Sequence, residues 1–289
     1  MMGEDHEFLY DPIGRELLYL HRVTTYNQGT FYHRHNAYEI YFFLRGNINF
    51  YVENQCYRLR PGDLIVLSPE EMHRSYTLDD SEYERITINL HKSYLNRLST
   101  HATNLSQCFD YRPKGKGNIV HLDEPQMQQF LTYTGTLEKL LHSRSYGADV
   151  NINATVSQLM VLINSVFQNT TFHANDIMPE LVRKTMDYIE THLHQDISLE
   201  QLTEAFYLNS TYISRQFKKH TGLTLRSYIL DRRVALAKSC LSEGLSLSEA
   251  CYQSGFADYS NFIRSFTKIA GISPGRYARK VNGQPEQLI

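Results

Sequence analysis

The chain of 289 residues contains no tryptophan, only four cysteines and no long uninterrupted apolar run. A membrane-spanning helix needs roughly 18 consecutive apolar residues, and no stretch approaches that length. The N-terminal segment MMGEDHEFLYDP is acidic and has no apolar core, so it does not predict a secretory signal. These absences favour a cytoplasmic protein that does not associate with membranes.

The few cysteines are scattered and show no CxxC spacing: Cys56, Cys108, Cys240 and Cys251. This pattern argues against a disulfide framework and against a cysteine-rich structural zinc site, so reduced thiols are expected. The length suits one large domain or two modest ones, and it is sufficient for each to bury a core.

The net charge of -2 conceals a difference between the two parts of the chain. Residues 180–280 hold 14 Lys+Arg against 10 Asp+Glu, whereas residues 1–179 hold 15 basic and 20 acidic residues. Such an asymmetry is typical of a protein in which one part meets a polyanion. We therefore predict two domains of different character.

The first part of the chain has the pattern of strands followed by helices. Between residues 15 and 90, β-rich runs such as YEIYFFL and DLIVLS alternate with turn signals such as Arg60-Pro61-Gly62-Asp63. Short strands at a spacing of about ten residues suggest a small barrel or sandwich. Apolar residues at helical spacing in 125–142 and 149–168 predict helices that pack on the barrel, on each other or on a second subunit.

A pattern that occurs twice dominates the last part of the chain. The segment ISLEQLTEAFYLNSTYISRQFKKHTGLTLRSY at 197–228 is repeated as LSLSEACYQSGFADYSNFIRSFTKIAGISPGRY at 245–277. Each copy predicts a serine-capped helix, a tight turn and a second helix beginning near Asn209 or Asp258. This is the plan of a helix-turn-helix unit, whose second helix enters the major groove of DNA.

Helical spacing assigns the faces of these second helices. The apolar residues Ile213, Phe217, Phe262, Phe266 and Ile269 are expected in the core. The opposite faces carry short polar residues and one arginine each, which suit base edges, with lysines further along that suit phosphates. A helical bundle with a polar face is the alternative, and the repetition argues against it. The predicted DNA-binding residues are Ser210, Thr211, Ser214, Arg215, Lys218, Lys219, Tyr259, Ser260, Ile263, Arg264 and Lys268.

On these residues the C-terminal part resembles the DNA-binding domain of the AraC-type (arabinose-operon regulator) transcription factors. The second copy carries that family's pattern, Ala250-x4-Gly255-Phe256-x3-Ser260-x-Phe262-x3-Phe266-x4-Gly271-x-Ser273-Pro274-x2-Tyr277. The resemblance implies seven helices, with 225–243 as the long helix joining the two units. It also implies that one monomer reads successive major-groove segments, contacts RNA polymerase and most often activates transcription.

The stretch YHRHNAYEIYFFLRG at 32–46 holds the chemistry of the first part of the chain. His33, His35 and Glu39 alternate in it, so in a single strand their side chains would project from one face. Two imidazoles and a carboxylate are metal-ligand chemistry. Tyr41 and Phe43 share that face, which suits stacking on a sugar-like or ring-bearing effector.

The same stretch resembles the first motif of the cupins, which are small double-stranded β-barrels, and residues 61–73 resemble the second. In metal-binding cupins the equivalents of His33, His35, Glu39 and His73 hold a divalent ion. Three interpretations stay open. These side chains form hydrogen bonds to an effector, they hold a divalent metal that helps to hold or sense it, or they have a structural role only. The first is preferred, and it requires no cofactor.

The predicted fold class is therefore α+β, with a cupin-like double-stranded β-barrel and helices followed by an all-α domain of two helix-turn-helix units. The predicted boundaries are 1–110 for the barrel, 111–172 for a helical dimerisation or packing segment, 173–179 for a linker and 180–289 for the DNA-binding domain, with units at about 197–221 and 246–271. The predicted effector pocket consists of His33, His35, Glu39, Tyr41, Phe43 and His73.

The predicted function is an effector-responsive transcription regulator, an activator of a metabolic and carbohydrate-related operon. Its expected partners are double-stranded DNA, a small-molecule effector such as a sugar, RNA polymerase and a second copy of the chain. The alternative is a metal-dependent cupin enzyme or metal sensor with an attached helical domain. Two matched reading helices serve no purpose in an enzyme, so we expect no catalytic activity.

Overall fold

The computed structural model describes residues 10–11, 16–25, 32–69, 71–170 and 177–282. Within these ranges the N-terminal domain, up to residue 170, has ten strands and four helices, and the C-terminal domain has seven helices. The strands are β1 (Tyr10–Asp11), β2 (Leu17–Thr24), β3 (Arg34–His35), β4 (Tyr38–Arg45), β5 (Ile48–Val52), β6 (Gln55–Arg58), β7 (Asp63–Leu67), β8 (His73–Thr77), β9 (Tyr83–Leu90) and β10 (Ile119–His121). The helices are α1 (Lys92–Leu98), α2 (Gln107–Asp110), α3 (Glu124–Leu141), α4 (Ala148–Asn169), α5 (Glu180–Thr191), α6 (Leu199–Phe206), α7 (Ser210–Thr221), α8 (Leu225–Ser242), α9 (Leu247–Gln253), α10 (Tyr259–Ala270) and α11 (Pro274–Val281).

Two antiparallel sheets form the N-terminal domain. One has the strand order β10-β7-β4-β9-β2 and the other has the order β6-β5-β8, while β1 and β3 pair in parallel. Side chains alternate between the two faces of each strand. Tyr41 and Phe43 of β4 therefore share one buried group, the interior cluster, with Phe50 and Val52 of β5. The outer face of each sheet is left to pack against other elements.

Helices α3 and α4 cover the outer face of the five-stranded sheet. Phe42 of β4 packs against Phe130 of α3 with ring centroids 4.5 Å apart. The apolar stripe of α4, which includes Leu159 and Ile163, is buried in the same cluster. By length and composition α4 could cross a membrane, but this stripe is part of the core of the N-terminal domain.

The barrel extends past residue 110, where the sequence pattern placed its end. β10 pairs antiparallel with β7 and completes the edge of the five-stranded sheet. The buried Glu71 holds the preceding loop, because it accepts hydrogen bonds from Gly115 N at 2.6 Å and from Arg112 Nη1 at 2.7 Å. A strand of three residues is too short to show a recognisable alternation, and its place in the sheet depends on these distant contacts.

The C-terminal domain contains the two predicted helix-turn-helix units, α6–α7 and α9–α10, joined by α8. Ser198 and Ser246 each form a capping box at the start of the first helix of their unit. Asn209 and Asp258 cap the second helices by accepting hydrogen bonds from backbone N–H groups of the first turn. The predicted fold class, a β-rich N-terminal domain followed by an all-α helix-turn-helix domain, is confirmed.

The two domains share a core. Tyr51, on the outer face of β5, belongs to one apolar cluster with Val182 of α5 and Tyr228 of α8. Its hydroxyl donates to the carbonyl of His220 at 2.5 Å. Of the predicted linker at 173–179, residues 173–176 fall outside the described part of the chain. The described end of this segment also packs on the barrel, since Ile177 N donates to the carbonyl of Cys56 at 2.9 Å.

Candidate DNA-binding face and histidine site

The second helices of the two units open onto one cleft. Helices α7 and α10, together with the beginning of α8, enclose about 1190 Å³. The predicted residues that line it are Thr211, Ser214, Arg215, Lys218, Arg264 and Lys268. Phe217 and Phe266 lie on the opposite faces and are 1% and 0% exposed. The apolar side of each helix is thus used in the core, and the polar side is left for a partner.

The other predicted DNA-binding residues lie outside the lining of this cleft. Lys219, Tyr259 and Ser260 are exposed on their helices, and Ser210 is half-buried at the start of α7. Ile263 is also half-buried and packs against the core cluster of the C-terminal domain. Its outward projection is therefore only partial, because it lies three residues before the buried Phe266 and shares much of that face.

Positive charge dominates the cleft. Its lining includes the cations Arg215, Lys218, Arg226, Arg233, Arg264 and Lys268, and one acid, Asp196. Arg233 has a structural role, since it donates to the carbonyl oxygens of Leu193 at 3.1 Å and Gln195 at 2.5 Å. A concave surface lined by charges of one sign concentrates counter-ions, and for cations these include nucleic-acid phosphates.

The histidine site lies inside the N-terminal domain, where the side chains of His35, Glu39 and His73 converge. One potential ligand atom from each lies within 4.8 Å of the others, and all three residues are buried. The Nδ1 of His35 lies 3.0 Å from the carbonyl of Ala37, and the Nδ1 of His73 lies 2.9 Å from the carbonyl of Glu71. A carbonyl only accepts, so both Nδ1 atoms donate and both Nε2 atoms are directed to the site.

Glu39 is held as a carboxylate by its neighbours. Its Oε2 lies 2.5 Å from the Nε2 of His35 and 3.7 Å from the Nε2 of His73, and it accepts from Asn89 Nδ2 at 3.2 Å. Burial alone would raise the pKa of Glu39, but the two histidines outweigh it and hold that pKa well below its usual range.

The structure corrects the prediction that His33, His35 and Glu39 lie on one strand. His33 forms an isolated bridge to His73, His35 belongs to β3, and a bend at 36–37 separates it from Glu39 on β4. Pairing causes the break, because β3 pairs with β1 whereas β4 pairs with β7 and β9. His33 lies beside the group of three, with its ring centroid 4.3 Å from that of His73.

Tyr41 and Phe43 continue the inner face of β4 beyond Glu39. They are 3% and 0% exposed in the interior cluster. The hydroxyl of Tyr41 meets that of Tyr83, and burial raises the pKa of Tyr41 well above its usual value. The Tyr41 ring packs on Phe50 with centroids 4.5 Å apart, and Phe50 in turn lies 6.2 Å from the His73 ring, so the interior cluster adjoins the histidine site.

Two protein-family models match the chain. A helix-turn-helix domain matches residues 202–280, and an AraC-like ligand binding domain matches residues 17–137. The chain belongs to the AraC-type family of transcription regulators. The predicted resemblance is thus confirmed for both parts of this AraC-type protein.

Proteins similar to this chain are named as transcription regulators. YobQ of Bacillus subtilis (strain 168), an uncharacterized HTH-type transcriptional regulator, is 24% identical over 254 residues, 88% of this chain and 90% of YobQ. The probable transcriptional regulator LumQ of Photobacterium leiognathi is 35% identical over 92 residues, 32% of this chain and 37% of LumQ. Among solved structures, ToxT from Vibrio cholerae aligns over 91% of this chain and 98% of its own, with 13% identity and a TM-score of 0.40. The expectation of a regulator rather than an enzyme is confirmed.

The structure adds residues to both candidate sites of this AraC-type protein. Asn261 and Ser265 of α10 and Arg226 of α8 line the cleft, although the sequence patterns did not select them. Asn89 joins the histidine site because β9 places it directly opposite Glu39. The signal that could have identified Asn89 is a lone amide in the apolar end of the strand sequence YERITINL.

Proposed function

We propose that this AraC-type regulator reads specific DNA sequences with α7 and α10 and changes its DNA binding when a small molecule occupies the histidine site. The observation that carries the proposal is the single basic cleft onto which the polar faces of both repeated helices open. Two matched reading helices suit successive segments of one DNA face.

The side chains of the cleft divide into two roles. Arg215 and Arg264 occupy corresponding faces of α7 and α10, and a guanidinium can donate two hydrogen bonds to one guanine. Lys218 and Lys268 lie further along the same helices and suit phosphates, which position a protein without specifying a sequence. We assign the arginines to base recognition and the lysines to the DNA backbone.

Selection of DNA from a random-sequence pool by the full chain, followed by affinity measurements, tests these roles. Arg215→Ala and Arg264→Ala should each weaken binding to the selected DNA by about 1–3 kcal/mol. Each should also relax the base preference at a different position of the DNA site. Arg144→Ala, which removes an exposed arginine from the N-terminal domain, serves as the matched control and should have no effect. Wild-type affinity and preference in both variants would contradict the assignment.

We further propose that the effector is hydroxyl-rich and sugar-like. His33, His35, Glu39 and His73 offer both donors and acceptors, and Tyr41 and Phe43 of the adjoining interior cluster offer rings for apolar contact. A thermal-shift screen against sugars and related metabolites tests this idea. A stabilising compound should lose its effect in Glu39→Gln, whereas a stabilisation equal in wild type and variant would place the binding site elsewhere.

A divalent metal at the same site is the second candidate. It is favoured by the two Nδ1–H groups that donate to backbone carbonyls, because this directs each Nε2 to the site in the tautomer that binds metals. His35, Glu39 and His73 would hold Zn²⁺ or a similar ion, and the ion would supply a coordination position for an effector oxygen. Elemental analysis of protein purified without chelator should then show one metal per chain, lost in His35→Ala and kept in the exposed control His101→Ala.

The remaining partners follow from the proposed role. We propose a cytoplasmic homodimer that activates a carbohydrate-related operon through contact with RNA polymerase. Val150 and Val161 of α4 are 64% and 51% exposed and support a dimer face on this helix. Sedimentation should show a dimer that Val161→Glu dissociates, whereas a monomeric wild type would contradict this part of the proposal.

A further inference from the structure

Two short segments, 32–33 and 73–74, lie between the histidine site and the C-terminal domain. His33 and His73 exchange both of their backbone hydrogen bonds, with N–O distances of 3.0 and 2.9 Å. Successive residues of extended chain point to opposite sides. The ring of His73 accordingly lies in the site, with its centroid 6.2 Å from that of Phe50 of the interior cluster, whereas Tyr32 belongs to the cluster shared with the C-terminal domain. We call this paired piece of backbone the bridge segment.

The outer side of the bridge segment is a cage of tyrosines around one arginine. Arg74 is 2% exposed, and its Cζ lies 5.5, 5.6 and 5.3 Å from the ring centroids of Tyr32, Tyr51 and Tyr76. A guanidinium over aromatic rings is attracted to them, and the attraction is stronger where water is excluded. Tyr32 in turn contacts Tyr228 of α8 edge to face, at 5.4 Å between centroids. The cage therefore rests directly on α8.

A buried carboxyl group of α8 lies within electrostatic range of the cage. Asp231 is 3% exposed, and the charge of Arg74 acts on it. Within the described residues, Arg74 Nε and Nη1 and Asp231 Oδ2 have no hydrogen-bond partner. Buried polar groups without hydrogen bonds are costly, so the energy of the contact between the cage and α8, which Tyr32 and Tyr228 make, changes strongly with small displacements. The contact is therefore suited to discriminate between two docked arrangements.

Helix α8 connects the two reading helices. It follows α7 after three residues and precedes α9 and α10. Its beginning, around Arg226, lines the cleft between those helices, while Tyr228 meets Tyr32 of the N-terminal domain. A change in the position of α8 relative to the N-terminal domain would therefore also move residues that line the proposed DNA-binding cleft.

We propose that the bridge segment couples the histidine site to the DNA-binding domain. A ligand that displaces His33 or His73 on the inner side of the bridge segment also displaces Tyr32 and Arg74 on its outer side. This displacement changes the packing of the N-terminal domain on α8. The inference rests on the proposed function in taking the histidine site as the effector site. It adds the contact through which occupancy of that site reaches the DNA-binding domain.

Hydrogen–deuterium exchange of α8 amides in the full chain tests the coupling without a known effector. Glu39→Gln perturbs the histidine site by removing the carboxylate between His35 and His73. It should change α8 exchange by about fivefold or more in the wild-type background. The change should disappear in Arg74→Met and persist in the matched control Arg58→Met, an exposed arginine of the same sheet.

The opposite results would overturn the coupling. An α8 that does not respond to Glu39→Gln, or that responds equally with and without Arg74, would show that the bridge segment transmits nothing. Tyr228→Leu removes the edge-to-face contact with Tyr32 from the α8 side and should also abolish the response, so a folding defect of Arg74→Met does not decide the outcome.

DNA binding distinguishes the failure of this inference from the failure of the proposed function. A chain that selects no specific sequence from a random pool would contradict the proposed function. Specific binding in which the effects of Glu39→Gln and Arg74→Met on affinity simply add would contradict only the coupling, because contacts that act as a unit are non-additive.

Discussion

Replacing Asp231 by asparagine should change how the stability of the protein depends on pH. The carboxyl group is 3% exposed on α8, and its Oδ2 has no hydrogen-bond partner among the described residues. Burial raises the pKa of Asp231 from 3.8 to about 7, against the opposing charge of Arg74. The folded state thus holds this proton more tightly than the unfolded state.

The sign and size of the effect follow from this difference. A group whose pKa is raised on folding contributes stability below its unfolded pKa, and that contribution is lost as the pH rises through the folded pKa. A difference of about three in pKa corresponds to about 4 kcal/mol. Relative to Asp231→Asn, the wild type should therefore lose about 4 kcal/mol between about pH 4 and about pH 8.5.

Urea unfolding at several pH values, followed by circular dichroism and by tyrosine fluorescence, measures this loss. Both probes are needed because two docked domains need not unfold together. Glu204→Gln neutralises an exposed acid of the same domain and should keep the wild-type pH dependence. Parallel pH profiles for wild type and Asp231→Asn would refute the reasoning, since the amide cannot ionise.

Four further substitutions test other parts of the structure. Gly255→Ala should destabilise the protein by about 3 kcal/mol or more in thermal unfolding, because φ is +86° and a Cβ would lie 2.2 Å from the carbonyl of Leu193. Gly135→Ala, in helix α3 with nothing within 4 Å of the new Cβ, should instead stabilise it by about 1 kcal/mol. Glu71→Gln should cost about 3 kcal/mol in urea unfolding, as it breaks a buried ion pair with Arg112. Lys218→Ala should weaken binding to all DNA sequences alike and reduce the salt dependence by about one counter-ion.

The helix-turn-helix units were predictable because their signals are local. A serine cap and the Gln or Glu three residues later form the capping boxes at Ser198 and Ser246. Asn209 and Asp258 bond to N–H groups two or three residues on. Gly255 supplies a positive φ at the turn. Each of these interactions closes within a few residues, so the order of amino acids is sufficient to identify it.

The histidine site was predictable only in part. His35, Glu39 and His73 come together as their motif suggested. Asn89 and the separate position of His33 depend on which strands pair and in which register. Pairing between strands that are distant along the chain is decided by packing of the whole sheet, so a short pattern does not contain it.

By itself the sequence determined the repeated DNA-reading units and most of the ligand set, because these rest on local backbone chemistry and spacing. The tertiary structure alone decided that the barrel docks on α8. From the sequence alone Arg74 and Asp231 would be expected at the surface, but both are buried. The sequence around Tyr51 likewise does not predict its hydrogen bond to the carbonyl of His220. Burial depends on the neighbours that folding brings to a residue, and for Tyr51 the bonded carbonyl lies 169 positions away.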